Sequence, residues 1–553
     1  MVPADDNVGA SKRLPLETRL AFGGILAVLA LASTNMTVIG TALPRVIAEL
    51  EGFELYAWAF TAFTLTSTVS LPVFGRLGDR YGRKPMLLIG IVVFTLASIA
   101  AGFSQTMLQL VALRGLQGIG GGALMAMTWA VLGDLFTPRE RGAYQGITSG
   151  VFGVSSVIGP LIGGLITDTL GWRWVFFIVV PFAFASFELV RRFVPSGATS
   201  EEGRIDVAGA LLLVLAVAPL LLALSLGGAS HGWASPTVVA LLAASLALGI
   251  VLFAHERRAS SPIVPLDLYR DPIVRLTSLG SLLLGAGLFA SVFYLPLYVQ
   301  GALGGSASAS GLVLSPLMLG FVTTTSLSGW YASRTGRYWG WLVASAMVTT
   351  LGFAGAATLS TTTPAPLVVM ISITIGSGLG PLMSLFVVVA QAAVPGGQLG
   401  TVTSANQFAR QMGGTIGVAA FGAVIAARLR SGLGDLPGAH VLSPEAQALV
   451  TSPNTLTDPA RLARAHELVT RELGAGSVAT VIGAARDALA SGLAWSFALS
   501  ALLAALALLV TWRLPRATLP DTPVGGGTQD ALGPPPASAD PDLEAAPTRR
   551  AIS

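Results

Sequence analysis

Cysteine is absent from all 553 residues, which excludes disulfides, thiolate metal sites and thiol nucleophiles. The only histidines, His231, His255, His440 and His466, are scattered and give no metal-ligand spacing. Charge is scarce as well. Charged residues make up 11% of the chain, against about 25% in soluble domains, so a soluble enzyme of this size is excluded. A hydrophobic content of 53% equally excludes a disordered chain. No phosphate loop or hydrolytic centre is present, so neither an enzyme nor an ATP-driven pump is expected, and no cofactor or metal. Gly118-x-Gly120-x-x-Ala123 matches part of a dinucleotide loop, but it lies inside an apolar run with no strand before it. What the chain has in plenty is apolar length and glycine, with 65 Gly. Glycine is tolerated in membrane helices because it lets backbones approach. The composition describes an all-α integral membrane protein.

Apolar runs of about 20 residues can cross the hydrocarbon layer as helices. Fourteen are expected, at 21–43, 55–75, 86–104, 108–133, 143–167, 174–190, 207–227, 236–254, 276–300, 309–332, 340–359, 365–390, 401–427 and 492–512. The first follows Lys12, Arg13 and Arg19 as a secretory signal would, but it is too long for one and has no small-residue cleavage site, so it counts as a span. Lys and Arg set the orientation. One side collects Lys12, Arg13 and Arg19, then Arg76, Arg80, Arg83 and Lys84, then Arg139 and Arg141, then Arg191, Arg192 and Arg204. It continues with Arg257, Arg258, Arg270 and Arg275, then Arg334 and Arg337, and ends with Arg513 and Arg516. The short loops of the other side hold only Arg45 and Arg173. Both termini are therefore expected in the cytoplasm. The net charge of +4 reports topology, and no nucleic-acid partner is expected.

Residues 1–20 then form a cytoplasmic N-terminus, 21–195 a first six-helix half, 196–273 two inserted helices with linkers, and 274–512 a second six-helix half. The second half includes an extracytoplasmic loop, 428–491, in which Asp458–Leu473 reads as a short amphipathic helix. Residues 513–553, rich in Pro, Gly, Asp and Ala, read as a disordered tail. The halves share a signature. Gly75-Arg-Leu-Gly-Asp79-Arg80-Tyr-Gly82-Arg83-Lys84 after the second span and Gly329-Trp-Tyr-Ala-Ser333-Arg334-Thr-Gly336-Arg337 after the tenth both fit G-x-x-x-x-R-x-G-R. Repeated halves point to a site between them and to alternating access.

The first copy resembles the signature loop of the major facilitator superfamily. Leu110-x-x-x-Arg114-x-x-Gln117-Gly118-x-Gly120 resembles that superfamily's fourth-span motif, and Ser155-x-x-x-Gly159-Pro160-x-x-Gly163-Gly164 is similar to the fifth-span motif of its antiporters, with Ser155 in place of the usual first Gly. Asn35-x-Thr37-Val-Ile-Gly-Thr-Ala42-Leu43-Pro44 and Trp172-Arg-Trp-Val-Phe-Phe further resemble the fourteen-span drug:proton antiporters of the EmrB/QacA type. The resemblance covers about residues 20–515. It implies a major facilitator fold of fourteen helices arranged 6+2+6 in the cell membrane, working as a monomer, with a small amphipathic substrate, protons as coupling ion and membrane lipids as partners.

Each motif has a physical reading. Gly75, Gly78 and Gly82 allow a tight turn, and Arg80, Arg83 and Lys84 suit an anionic leaflet. Asp79 either caps the uncharged start of span 13, latching the halves together, or pairs with Arg80 or Arg83. Gly142, Gly146 and Gly150, like Ser155, Gly159 and Gly163, recur so that a neighbouring helix can approach, and Pro160 adds a bend. That face is either static packing or a hinge.

Only Arg114 and Arg410 lie well inside spans, and charges at that depth are functional candidates. Helical rise places Asn35 in the same layer as Arg114. Arg114 either takes part in coupling with Asn35 or binds backbone carbonyls and Gln117. The resemblance puts a proton-carrying Asp where Asn35 stands, so either another group carries the proton or the Asn mimics the protonated state. A substrate cavity would be apolar and aromatic with few polar groups, for which Trp129, Phe152, Phe289, Phe293, Tyr294, Tyr298, Asn406 and Gln407 are candidates. The expected function is secondary active multidrug efflux, exchanging protons for hydrophobic or cationic compounds. Alternatives are a lipid or amphiphile exporter, an anion-selective carrier using Arg114 and Arg410, and a non-transporting receptor.

Overall fold

A computed structural model of the chain describes residues 15–50, 56–196, 206–229, 233–259, 262–263, 266–434, 442–457 and 459–519, at some helical positions by backbone alone. The expected cytoplasmic N-terminus up to residue 14 and the tail from 520 lie outside the described residues. The chain runs as α1 (Leu16–Leu50), α2 (Tyr56–Tyr81), α3 (Arg83–Gly102), α4 (Met107–Leu135), α5 (Pro138–Thr169), α6 (Trp174–Phe177), α7 (Val179–Phe193), α8 (Val207–Ala229) and α9 (Pro236–Glu256). It continues as α10 (Pro272–Leu297), α11 (Ala307–Thr335), α12 (Trp339–Ala356), α13 (Ala365–Ala392), α14 (Leu399–Gly434), α15 (Pro444–Val450), α16 (Pro459–Leu473) and α17 (Val478–Trp512).

Among the described residues, twelve helices are long and apolar enough to cross a membrane. Of the expected spans, the second and fifth correspond to α2 and α5, which are not among the twelve. Both are long, but α2 carries Arg76, Asp79 and Arg80 at one end, and α5 begins with Arg139, Glu140 and Arg141. The helix ends follow from local sequence. Thr137 and Glu140 form a reciprocal capping box at the start of α5, with Pro138 in its first turn. Asp271 accepts from the backbone N–H groups of Ile273 and Val274 to start α10. Gly336, at φ 69, ends α11 in the left-handed conformation that glycine favours.

Helices α1–α7 form one bundle, in which α4 packs on α2 and α3, and α1 on α5 and α7. Helices α10–α14 and α17 form a second, with α10 on α14, α11 on α13, and α17 on α12, α14 and α10. Between the bundles, α5 packs against α11, and α2 against α14. Helix α8 lies beside α2 and α14, sharing a buried cluster of Val69, Leu213, Val217, Leu221 and Met412. Helix α9 packs mainly on α8 and leaves Leu246, Ile250 and Phe253 exposed, as a lipid-facing helix does.

Several expected boundaries change. The long loop is shorter than 428–491, because α14 runs to Gly434 and α17 begins at Val478. Its amphipathic helix is α16, and Ala465, Leu468 and Val469 join the buried core of the second bundle. There the Ser443 backbone N–H donates to Glu472 at 2.7 Å and holds that carboxyl below its usual range. Beyond α17 the chain turns back over the α11–α12 turn. Tyr338 donates to the Pro515 carbonyl at 2.8 Å, Leu519 N–H donates to the Gly336 carbonyl at 2.8 Å, and Arg516 stacks 4.3 Å from the Trp339 ring.

Glycine sets how closely the helices approach. A Cβ on Gly376 of α13 would overlap the Leu317 carbonyl of α11. Gly376→Val should therefore lower the stability of the detergent-solubilised protein by about 1–3 kcal/mol. Gly340→Ala, where an added Cβ meets nothing within 4 Å, should leave it unchanged; thermal unfolding followed by tryptophan fluorescence compares the two.

Candidate functional site

The signature loop is mostly helix. Gly75 and Gly78 lie within α2, and only Gly82, at φ 94, makes the turn into α3. The expectation of a turn through three glycines is corrected, because the first two serve close approach. A Cβ on Gly75 would overlap Ser404 Oγ of α14, and one on Gly78 would lie 2.5 Å from Met127 Sδ of α4.

This approach brings Asp79 to the first turn of α14. Its carboxylate accepts from Gly400 N at 2.8 Å, Thr401 N at 2.6 Å and Thr401 Oγ1 at 2.7 Å. It also accepts from Arg83 Nη2 at 3.0 Å. Cap and ion pair, read from the sequence as alternatives, are present together. A carboxylate is matched to both the unpaired N–H groups and the positive pole of a helix start. Arg83 is buried between Asp79 and Asp134 and donates to the Ala130 carbonyl at 3.2 Å, so it does not face a leaflet as expected. Arg80 lies half-buried with its guanidinium 5.3 Å from the Tyr81 ring, and Lys84 is half-buried.

Two further residues join the bundles at the same end, and sequence reasoning missed both. Arg141 is buried and donates to the Phe136 carbonyl at 2.9 Å, to the Gly133 carbonyl and, at 3.4 Å, to Gln391 Oε1 of α13. Gln391 Nε2 donates to Thr403 Oγ1 at 2.8 Å and to the Trp129 carbonyl at 3.4 Å. The spacing Arg139-x-Arg141 is the available signal, but from the sequence it reads only as loop charge. Beside them α5 meets α11, where a Cβ on Gly146 would lie 2.6 Å from Ser326 Cα and one on Gly153 would lie 3.0 Å from Val322.

Deeper in the first bundle, Asn35 and Arg114 meet. Arg114 is fully buried and donates through Nη1 to Asn35 Oδ1 at 3.0 Å and to Gln117 Oε1 at 2.6 Å. Its Nε donates to the Ala59 carbonyl at 3.2 Å, and the Phe63 ring lies 4.3 Å from its Cζ. In the second bundle Arg410 is half-buried, with Nη1 4.0 Å from Met383 Sδ. One turn earlier on α14, Asn406 accepts from Ser281 at 2.6 Å, while Asn406 Nδ2 and both polar atoms of Gln407 are buried without a partner. Buried polar atoms of this kind call for an explanation.

The other expected site residues divide. The rings of Phe289 and Phe293 lie tilted with centroids 6.1 Å apart, Phe289 beside Gly414 of α14 and Phe293 partly exposed. Tyr294 is committed to the Val418 carbonyl at 2.6 Å, and Tyr298 lies in the second bundle's core, donating to the Ser360 carbonyl. These two are packing residues, because their hydroxyls serve the backbone. Trp129 packs with Phe22 and Phe136 beside the sealed end. Ser155, Gly159 and Gly163 are buried along α5, and Gly164 is half-buried with open space around it. The side chains of Phe152 and Pro160 lie outside the described residues. At the opposite end of the molecule, hydrogen bonds from Arg173 and from Trp172, the latter at 2.7 Å, hold the Glu49 carboxyl below its usual range. The Trp172 motif is thereby tied to α1.

Two helical bundles joined at one end, each with an arginine well inside a long apolar helix, define a multi-pass membrane transporter. The Major Facilitator Superfamily model matches residues 25–418. The chain is 34% identical over 410 residues to the multidrug transporter protein MdtP of Bacillus subtilis, an alignment covering 74% of this chain and 75% of that protein. It is 32% identical over 410 residues to multidrug resistance protein 3 of the same organism, covering 74% and 79%. The solved structure of the proton:xylose symporter XylE superimposes with a TM-score of 0.55 at 13% identity, covering 91% of this chain and 97% of that one, a likeness of fold. The chain belongs to the Major Facilitator Superfamily, and its relatives include drug-efflux transporters.

Asp79→Asn would remove the charge that caps α14 and pairs with Arg83. The expected outcome is an end that opens more readily. Ser404→Cys, buried against Gly75 in a chain with no other cysteine, should react with a maleimide about tenfold faster in the Asp79→Asn background. Unchanged labelling and unchanged transport would remove the latch role.

Proposed function

We propose that the protein is a secondary active exporter that exchanges hydrophobic or cationic compounds for protons by alternating access. In this reading all fourteen long helices span the cell membrane in a 6+2+6 arrangement, both termini lie in the cytoplasm, and the protein works as a monomer. Helices α2 and α5 count as spans because each is as long as its neighbours, and packing buries Asp79 of the first and Arg141 of the second. The observation that carries the proposal is the seal between the bundles at one end. Asp79 on the start of α14, Arg141 on Gln391, and α5 against α11 all lie on the side rich in Lys and Arg.

A seal at one end of a site flanked by Arg114 and Arg410 is what one of two alternating states requires. The small-residue face of α5, from Gly146 to Gly163, would let α11 slide against it as the seal breaks. Phe289, Phe293, Asn406 and Gln407 would line the route of an amphipathic substrate. Similarity to MdtP and to multidrug resistance protein 3 supports the choice of drug-like compounds.

Proton coupling must use a group other than Asn35, whose amide does not titrate. Asp79 is buried and accepts from two backbone N–H groups. A proton on it would set donor against donor and loosen the seal. The test is export of a cationic dye from proteoliposomes under an imposed pH gradient, comparing the wild-type chain with Asn35→Asp. Wild-type flux should follow the gradient and collapse with a protonophore, while Asn35→Asp should shift its pH profile. Flux indifferent to the gradient would overturn the exchange mechanism, and identical profiles would place coupling away from position 35.

A further inference from the structure

Arg114 carries five N–H bonds. Nε–H goes to the Ala59 carbonyl, and the two on Nη1 go to the Asn35 and Gln117 side-chain oxygens. This fixes both amides. Arginine only donates, so each amide must turn its oxygen toward it and its NH₂ away. The atoms left without a partner are Arg114 Nη2, Asn35 Nδ2 and Gln117 Nε2. All three are donors, and the side chains are 0%, 2% and 0% exposed. Each amide nitrogen is one carbon away from an oxygen held by the same Nη1, so six unused N–H bonds surround one guanidinium group.

Among the described residues no carboxylate offsets this charge. In α1, α2, α4 and α5 the only acidic residues are Glu17, Glu49, Asp79, Asp134, Glu140 and Asp168, all in or near the terminal turns. Helices α10, α11, α13 and α14 contain none. Phe63 covers the guanidinium at 4.3 Å and supplies only the weak negative potential of a ring face. A water molecule could accept some of these hydrogen bonds, but it would leave a full positive charge at membrane depth. An anion answers both the surplus of donors and the charge.

We propose that Asn35, Arg114 and Gln117 form a binding site for a monovalent anion. One cation fixes the valence. Close packing limits the size, since Gly118 and Gly121 of α4 lie against Phe63 with no room for a Cβ. A halide ion or a single carboxylate group fits this description, the first from solution and the second as the head of an amphipathic substrate. The amide at position 35 is central, because a carboxylate there would occupy the site from within. For a free ion the inference stands apart from the export reading, and for a substrate head group it rests on that reading.

The test uses the purified full-length protein in detergent, with thermal unfolding followed by tryptophan fluorescence. Sodium chloride and, separately, sodium benzoate replace sodium sulfate at constant ionic strength. The wild-type midpoint should rise saturably by about 2–4 °C with one or both anions. Asn35→Asp should raise the concentration needed at least tenfold, and Gln117→Leu, which removes one donor pair, severalfold. The second variant decides the matter if the first does not fold. Saturation by chloride alone assigns the site to a free ion, and saturation by benzoate alone to a substrate head group. No saturable response, or the same response in the variants as in the wild type, overturns the proposal. Dye export by the same preparation is read separately, so loss of the anion response leaves the export reading standing, and the reverse.

Discussion

Helices surrounded by lipid gain little from burying one leucine against another, because the lipid tails are as apolar as the side chain. What holds such a bundle together is close approach of backbones, and in this chain several of the approaches pass through a glycine. Gly376 lies against the Leu317 carbonyl, Gly413 against the Leu282 carbonyl and Gly285 against the Arg410 carbonyl. These contacts set the spacing of α11 to α13 and of α10 to α14. The polar site depends on that spacing. Asp79 reaches the start of α14 because Gly75 and Gly400 leave no side chain between the two helices. A methyl group at either position would push the carboxylate out of hydrogen-bonding range.

The two copies of the signature share a fold and differ in chemistry. Both end a long helix with a glycine at positive φ, Gly82 in the first and Gly336 in the second. The first holds Asp79, which crosses to the other bundle. The second holds Ser333, whose hydroxyl bonds back to the Trp330 carbonyl within its own helix. The hydrogen-bonded cap therefore joins the bundles through one of two otherwise similar turns. Arg141 and Gln391 supplement it through α5 and α13, close to the cap.

Much of this was legible in the sequence, for physical reasons. Span positions follow from apolar length, and α16 from its periodicity. Helical rise puts Asn35 in the layer of Arg114, since both depths count from the same surface, while their contact depends on α1 and α4 packing together. Distinguishing a glycine that turns the chain from one that admits a neighbour was out of reach, because Gly75, Gly78 and Gly82 look alike until their neighbours are known. Arg141, and Arg83 apart from its pairing with Asp79, were misread for a related reason. A basic residue near a helix end reads as a topology marker, and only the position of Asp134 or Gln391 shows that it is buried and paired. Tyr294 and Tyr298 read as cavity aromatics because the sequence does not show which backbone carbonyl takes their hydroxyls.

The short return after α17 has a mechanical consequence. Tyr338 on Pro515, Leu519 on Gly336 and Arg516 on Trp339 fix that segment at three points. The last helix therefore exits as a clamped beam and not as a free lever. A pull on the residues beyond 519 is passed to the α11–α12 turn, the second bundle's own copy of the signature, and loads that bundle as a unit.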